Sequence, residues 1–305
     1  MRCLVLGAGG FIGTNLCRGL VAQGCFVRAF GRRQSFPELL TGCHWISGNF
    51  SDPTSLATAI QGCDVVFHLI NATTPASANL DKVADLEANV VSTLRFLEIC
   101  RETNIKRVVF ASSGGTIYGV PNLIPTPETA PTHPITAYGI SKLAIEKYLS
   151  LYEYLYSLDY RVLRLANPFG PYQTTLKNQG VVAAFVHRAL SGAPVEMWGD
   201  GSVIRDYVYI DDVVDAFVLA AFHKGSNRVF NIGSGEGRSL NDIVAAISRL
   251  LGYEVNVYRR AGRSVDVPVS VLDTELAISD LHWVPRIKFD DGLRRTIEWM
   301  KSAGV

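Results

Sequence analysis

The chain has 305 residues, 48% of them hydrophobic and 19% charged, with a formal charge of +1. This composition excludes a disordered chain and is ample for a large buried core. A near-neutral balance with no long basic run argues against a nucleic-acid or membrane-surface partner, since both call for a concentrated positive field.

The opening run Met1-Arg2-Cys3-Leu4-Val5-Leu6 meets glycine at once and is too short for a signal-peptide core. No stretch of about 20 apolar residues follows, so the protein is expected to be soluble and cytoplasmic. Strands are predicted over 2–6, 26–30, 44–47, 65–69, 107–111 and 161–165, with helical spacing over 14–23, 55–61, 82–103 and 137–156. Short runs apolar on both faces, separated by helices, describe a parallel sheet covered on each side. The fold class is therefore α/β, a doubly wound Rossmann-type parallel sheet over residues 1–170. Beyond Asn167-Pro168-Phe169-Gly170-Pro171 the alternation loosens. Turn signals stand at Gly199-Asp200-Gly201 and Gly233-Ser234-Gly235, and helical patterns recur over 181–191, 211–222, 240–251 and 292–301. Residues 171–305 are expected to form a smaller C-terminal α/β substrate lobe, interleaved with the first, with a cleft at the C-terminal edge of the sheet. Cys3, Cys17, Cys25, Cys43, Cys63 and Cys100 show no Cys-x-x-Cys spacing and read as buried thiols. The six histidines do not cluster at metal-ligand spacing, and no metal site is predicted.

Leu4-Val5-Leu6 runs into Gly7-Ala8-Gly9-Gly10-Phe11-Ile12-Gly13, a strand, a glycine turn and then a helix. Gly7 permits the tight turn, Gly10 the close approach of a phosphate, and Gly13 the packing of helix on sheet. The helix's free N–H groups, at Phe11 and Ile12, face the anion, so the segment reads as a dinucleotide site. An acid that meets the adenosine ribose is expected at the end of the second strand, but Gly31-Arg32-Arg33 stands there. Two guanidiniums suit a 2′-phosphate. The residues thus leave NADP open beside NAD, with a solvated basic turn as the other reading.

Tyr138 and Lys142 stand at i and i+4 on a predicted helix and share one face. A tyrosine, with an ordinary pKa of about 10, is a poor base at neutrality. A nearby lysine cation and an oxidised nicotinamide favour its phenolate, and the lysine is placed to bond the nicotinamide ribose. The run Val108-Val109-Phe110-Ala111-Ser112-Ser113-Gly114-Gly115-Thr116-Ile117-Tyr118-Gly119 is a buried strand ending in hydroxyls, where α/β ligands bind. Ser113 or Thr116 is a candidate to bond the reacting oxygen, against the ordinary role of such hydroxyls as helix caps. With the glycine run, these residues point to redox chemistry on a hydroxyl or carbonyl carbon.

Further segments extend the pattern: Phe67-His68-Leu69, Asn89, Arg164-Leu165-Ala166-Asn167-Pro168-Phe169-Gly170-Pro171, Gly199-Asp200-Gly201, Arg205-Asp206-Tyr207, Arg263-x-x-Asp266 and Leu281-x-Trp283-x-Pro285. Over nearly its whole length the chain resembles the extended short-chain dehydrogenase/reductases, above all the nucleotide-sugar epimerase/dehydratase family typified by UDP-galactose 4-epimerase. The resemblance implies Tyr138 as acid/base, Lys142 as its cationic partner and Ser113 on the sugar's reacting oxygen. It implies Asn49, Phe50, Leu69 and Asn89 beside the cofactor. Asn167, Arg205, Arg263 and Asp266 would lie around a nucleotide diphosphate, which two arginines are suited to clamp. It also implies a homodimer in which the helices over 82–103 and 137–156 pair as a four-helix bundle. Leu6 departs from a common threonine, Gly31 from the ribose-binding acid and Asn49 from an aspartate near adenine, although Asp52 is retained. The stretch from Ser113 to Tyr118 is one residue longer than usual. Counting from the strand makes Ser113 the catalytic hydroxyl, whereas counting back from Tyr118 reaches Gly114.

Related 4,6-dehydratases carry an Asp-Glu pair where Gly114-Gly115-Thr116 stands here, and decarboxylating relatives need a nearby glutamate that is missing. The 3,5-epimerase/reductases use a Cys–His pair, and no cysteine follows Cys100. Oxidation and reduction at C4 remain. The expected function is a nucleotide-sugar 4-epimerase of the UDP-glucose/UDP-galactose type, acting through a 4-keto sugar with bound NAD(P). An NADPH-dependent 4-keto-sugar reductase needs the same residues, and a non-catalytic cofactor-binding scaffold is a third reading. Ser270, where some epimerases carry a bulky tyrosine, predicts room for a 2-acetamido group.

Overall fold

Cys3, Leu4, Val5 and Leu6 of strand β1 (Arg2–Leu6) have no exposed surface, so helices must cover this strand on both faces. The computed structural model describes residues 1–174, 180–261 and 267–304. After β1 come β2 (Phe26–Gly31), β3 (Cys43–Ser47), β4 (Val65–His68), β5 (Arg107–Ser113), β6 (Asp159–Leu165), β7 (Asn167–Phe169), β8 (Val195–Trp198), β9 (Ile204–Tyr209) and β10 (Val229–Ile232). Seven of these form one sheet in the order β10-β6-β5-β4-β1-β2-β3, every pair parallel. The order reverses between β1 and β4, the position at which doubly wound sheets bind ligands beyond the carboxyl ends of their strands.

Side-chain alternation along the strands builds two cores. On one face Leu4, Leu6, Val66, Val108, Phe110 and Val162 meet α2 (Pro53–Ile60), α5 (Ser92–Glu102) and α7 (Ala137–Tyr156). On the other, Cys3, Val5, Phe67, Val109 and Leu163 meet α1 (Phe11–Ala22) and α9 (Ile210–Phe222). Short helices α3 (Pro75–Ala78), α4 (Lys82–Leu86) and α6 (Gly114–Ile117) lie at the carboxyl edge, and α8 (Val181–Leu190) opens the smaller lobe. The continuous helix expected over 82–103 is interrupted by a π-helical turn, Glu87–Val91, between α4 and α5. Ser92 Oγ donates to the Glu87 carbonyl (3.1 Å), and Asn89 turns inward to accept the N–H of Ala72 at 2.8 Å. Such a turn inserts one residue into the helix and re-aims a side chain, here toward the loop after β4. The thiols are all free, five of them buried and Cys43 half-buried. No described helix is long and apolar enough to cross a membrane.

The smaller lobe holds a sheet of β11 (Gly237–Ser239), β9, β7 and β13 (Val269–Ser270), and a pair of β8 with β12 (Val257–Arg260). Around them pack α8, α10 (Leu240–Leu251) and α12 (Phe289–Ala303), while α11 (Glu275–Ser279) contacts β10. Residues 210–232 return to the large sheet: α9 covers one face and β10 becomes its outer strand. The Trp283 indole donates to the Asp212 carbonyl (2.7 Å), tying the chain near its end to α9.

Asp206 of β9 is 1% exposed and accepts the N–H and Oγ–H of Ser234 (both 2.7 Å), the N–H of Gly235 (3.2 Å) and the N–H of Leu272 (3.4 Å). Burial raises its pKa, with the Ser234 bonds opposing. Removing the carboxylate strands several buried donors at once. Asp206→Ala should lower stability by about 4 kcal/mol, read by urea unfolding against wild type.

Candidate active site

Gly7 has φ +87°, and its N–H and that of Ala8 both donate to the Phe30 carbonyl (2.9 and 3.1 Å), pinning the loop to β2. A Cβ on Gly13 would stand 2.2 Å from the Gly7 carbonyl, and one on Gly9 1.9 Å from that of Arg33. A Cβ on Gly10 would meet only the Gly7 carbonyl, at 3.3 Å. Gly9 and Gly13 thus let the chain close on itself, whereas Gly10 keeps a surface bare. Gly10 caps α1 without a side chain, so the first N–H groups of the helix, from Phe11 and Ile12 on, have no intrahelical partner. A bare surface below an uncapped helix N terminus fits a pyrophosphate.

Arg32 and Arg33 are exposed on the loop after β2. A Cβ on Gly31 would lie 3.1 Å from the Trp45 ring, so an aromatic edge borders the end of β2. Asn49 is exposed, its Oδ1 accepting from the Ser51 N–H at 3.2 Å. Phe50 packs on His68 (ring centroids 4.9 Å apart), and the Leu69 N–H donates to the Leu6 carbonyl (3.1 Å).

Tyr138 and Lys142 face the carboxyl end of β5 from the first turns of α7. Lys142 is 3% exposed; its Nζ donates to the Ala111 carbonyl (2.8 Å) and lies over the rings of Phe110 (4.7 Å) and Tyr138 (5.7 Å). Burial depresses the Lys142 pKa to about 7, with Glu146 and Asp85 opposing. Burial also pushes the Tyr138 hydroxyl up to about 12, and the Asp85 carboxylate adds to the rise. In the protein alone, burial and Asp85 set the direction of the Tyr138 shift, and the expected lowering by Lys142 is not among its causes. Gly139 permits this placement, since a Cβ there would stand 2.7 Å from the Thr116 carbonyl.

Ser113 ends β5 at the N-cap of α6, yet its side chain makes no capping bond. Strand alternation sends Ser112 the opposite way, where its Oγ donates to Glu146 at 2.5 Å. Thr116 Oγ1 is buried without a partner among the described residues. A Cβ on Gly114 would meet Leu272 at 2.5 Å, whereas Gly115 faces open space. In the smaller lobe, Asn167 Nδ2 donates to the Asp206 carbonyl (2.9 Å) and Arg205 Nη1 to the carbonyls of Ile204 (2.8 Å) and Val267 (2.6 Å). Ser270 pairs in register with Arg205. Arg263 and Asp266 lie outside the described residues.

Sequence reading gave no site role to three buried charges behind this site, although it quoted Arg164. Glu146 and Arg164 form an ion pair at 2.7 Å, and Arg164 Nη1 also donates to the Tyr118 hydroxyl (2.9 Å), which donates to Asn231 Oδ1 (2.8 Å). Asp85 accepts from Ser141 Oγ (2.5 Å), Asn89 Nδ2 (3.0 Å) and Thr73 Oγ1. The signal was available in helical spacing: Glu146 follows Lys142 by one turn, and Asp85 precedes Asn89 by one. Asn89 itself is buried, its side chain engaged by Ala72, Thr73 and Asp85.

The model of the NAD dependent epimerase/dehydratase family matches residues 3–233. The chain belongs to this family. A UDP-glucose 4-epimerase of Mycolicibacterium smegmatis is 35% identical over 311 residues, covering 99% of each chain. The solved structure of UDP-glucose 4-epimerase with UDP-glucose from Thermotoga maritima superposes with a TM-score of 0.95 at 35% identity over 100% of both chains. The Thermus thermophilus UDP-glucose 4-epimerase complex with NAD gives 0.93 at 34% identity, covering 99% of this chain and 100% of that one. The epimerase/dehydratase architecture thus runs through both lobes.

The two kinds of glycine in the loop should separate experimentally. Gly10→Ala should keep the wild-type melting temperature but weaken NAD binding about tenfold or more, roughly 1.4 kcal/mol, by titration calorimetry. Gly13→Ala should lower the melting temperature itself.

Proposed function

We propose that the protein is an NAD-dependent nucleotide-sugar 4-epimerase that interconverts UDP-glucose and UDP-galactose. The observation that carries this reading is the Tyr138–Lys142 pair at the end of β5, beside a segment, Gly114-Gly115-Thr116, that supplies no carboxylate for dehydration. NAD, when bound, supplies the hydride acceptor and donor for C4 and, in its oxidised form, a positive ring charge. Gly7, Gly9, Gly10 and Gly13 with the N–H groups of Phe11 and Ile12 hold its pyrophosphate; Asn49, Phe50 and Leu69 line its path, while Arg32 and Arg33 flank the adenosine end.

Tyr138 accepts the 4-hydroxyl proton as C4 is oxidised and returns it as C4 is reduced from the opposite face, so no proton is lost over a cycle. Lys142 stabilises the phenolate, and Ser113, its hydroxyl not used in capping, bonds the sugar O4 with Thr116 beside it. Asn167 and Arg205, joined by Arg263 and Asp266, retain the diphosphate while the 4-keto sugar turns over. Ser270, small and set against Arg205, leaves space for a 2-acetamido group. Free thiols throughout the chain suit a reducing cytoplasm.

Denaturing the purified protein should release near-stoichiometric NAD, identified by mass spectrometry. Tyr138→Phe should keep that NAD and lose about 10²–10⁴-fold of UDP-galactose turnover. Empty protein that prefers NADPH would overturn the epimerase reading. UDP-N-acetylgalactosamine in the same assay tests the room at Ser270.

The homodimer rests on an apolar stripe along α7. Ile140, Tyr148, Leu151 and Leu155 recur at helical spacing on its exposed side, and Val83 and Leu86 are exposed on α4. A patch of this kind on a monomer marks an interface. Leu151→Asp should shift the protein from dimer to monomer in sedimentation velocity while leaving its circular dichroism unchanged.

A further inference from the structure

We propose that Asp85 is a positioning residue for the Tyr138–Lys142 pair, locking the first turns of α7 to the loop after β4 and setting the charge around the pair. This deepens, and rests on, the epimerase reading above.

Asp85 is 1% exposed. A buried carboxylate ordinarily sits against a cation, because desolvation is otherwise uncompensated. Here its donors are neutral and come from three elements: Ser141 Oγ on α7, Thr73 Oγ1 in the loop after β4, and Asn89 Nδ2 in the π-helical turn. Ser141 lies between Tyr138 and Lys142, so this bond fixes the rotation of α7 about its own axis where the pair projects. The same segment grips the helix start, since Asn79 Oδ1 accepts the Ala137 N–H at 2.9 Å. The loop is fixed in turn, with Asn89 holding the Ala72 N–H.

With no cation bonded to it among the described residues, the Asp85 charge acts on the pair itself. It opposes the depression of Lys142 by burial and adds to the rise of Tyr138. Glu146 also supports the Lys142 cation, from one turn further along the same face of α7. Glu146 is already engaged by Arg164 and Ser112, and Arg164 by Tyr118. From β4, His68 faces the group in its neutral form, held to a pKa of about 3 by burial and by Lys142. Among the described residues, Asp85 is thus a carboxylate near the pair whose charge no arginine shares.

Removing the charge lowers the Tyr138 pKa, so the acidic limb of the kcat profile, which needs the phenolate, moves to lower pH. It also lowers the Lys142 pKa, so the alkaline limb, which needs the ammonium, moves the same way. A bolt without an electrostatic role would move neither.

Asp85→Asn and Ser141→Ala separate the two contributions. Asp85→Asn should bind NAD as wild type does, lose about tenfold in kcat with little change in KM, and shift both limbs to lower pH. Ser141→Ala, which cuts the tie but keeps the charge, should lose kcat with its limbs in place. Ultraviolet difference titration of the tyrosinate, with Tyr138→Phe as the blank, should show Tyr138 ionising at lower pH in Asp85→Asn. That titration needs no substrate, so it tests Asp85 even if wild type fails to turn over UDP-glucose, a result that would count against the epimerase alone. An unmoved tyrosinate transition in Asp85→Asn, or a loss of kcat that tracks a loss of melting temperature, would overturn the proposal.

Discussion

Glu146 and Arg164 meet at 2.7 Å with almost no exposed surface, and their other polar atoms reach into nearly every element around the site. Glu146 takes Ser112 from β5; Arg164 leaves β6 to hold Tyr118 and the Glu128 carbonyl; Tyr118 reaches Asn231 of β10. Burial works against the Arg164 cation, yet Glu146 and Tyr118 together more than offset it and leave the guanidinium above its ordinary pKa. Two charges taken out of water are tolerable only when their hydrogen-bonding capacity is used in this way. Loss of one partner from such a pair costs about 3–5 kcal/mol, so the angle at which α7 crosses the sheet is set tightly.

The tightness matters because the proposed acid/base pair hangs from the same helix. One turn before Glu146 stands Lys142, whose burial depresses its own charge, and one turn before that stands Tyr138. Burial is the larger influence on both, and it disfavours the charged form of each. The protein therefore builds a site in which neither group ionises readily by itself. A cationic ligand beside Tyr138 would favour its phenolate, though not the Lys142 ammonium.

Much of the sheet was legible because its strands are apolar on both faces and end in turn residues. The predicted edges at 26–30 and 65–69 fall within a residue of β2 and β4. The seventh strand escaped notice: Val229-Phe230-Asn231-Ile232 is short and broken by an asparagine that reads as a turn signal. Asn231 is nonetheless fully buried, because the carbonyls of Thr126 and Asp273 accept its amide. The π-helical turn was invisible for a related reason, since apolar spacing over 82–103 continues through it and only Asn89's long-range bond to Ala72 reveals the extra residue. Tyr138 and Lys142 share one face of α7, as their spacing predicted, and Ser113 stands at the end of β5. Asp85 was not legible, because an acid beside Ala84 and Leu86 looks like a solvated helix position. What buries it is Ser141, 56 positions away in the chain.

The return of residues 210–232 to the large sheet bears on how such proteins diversify. A nucleotide-sugar lobe attached at one hinge could be exchanged as a cassette. Here the lobe is stitched in twice, because α9 and β10 are parts of the cofactor half, made from chain that lies between pieces of the sugar half. A chimera spliced at a single crossover near residue 170 would carry a foreign outer strand and a foreign helix against α1. Grafting a new sugar preference onto this scaffold therefore calls for two separate insertions with residues 210–232 left native.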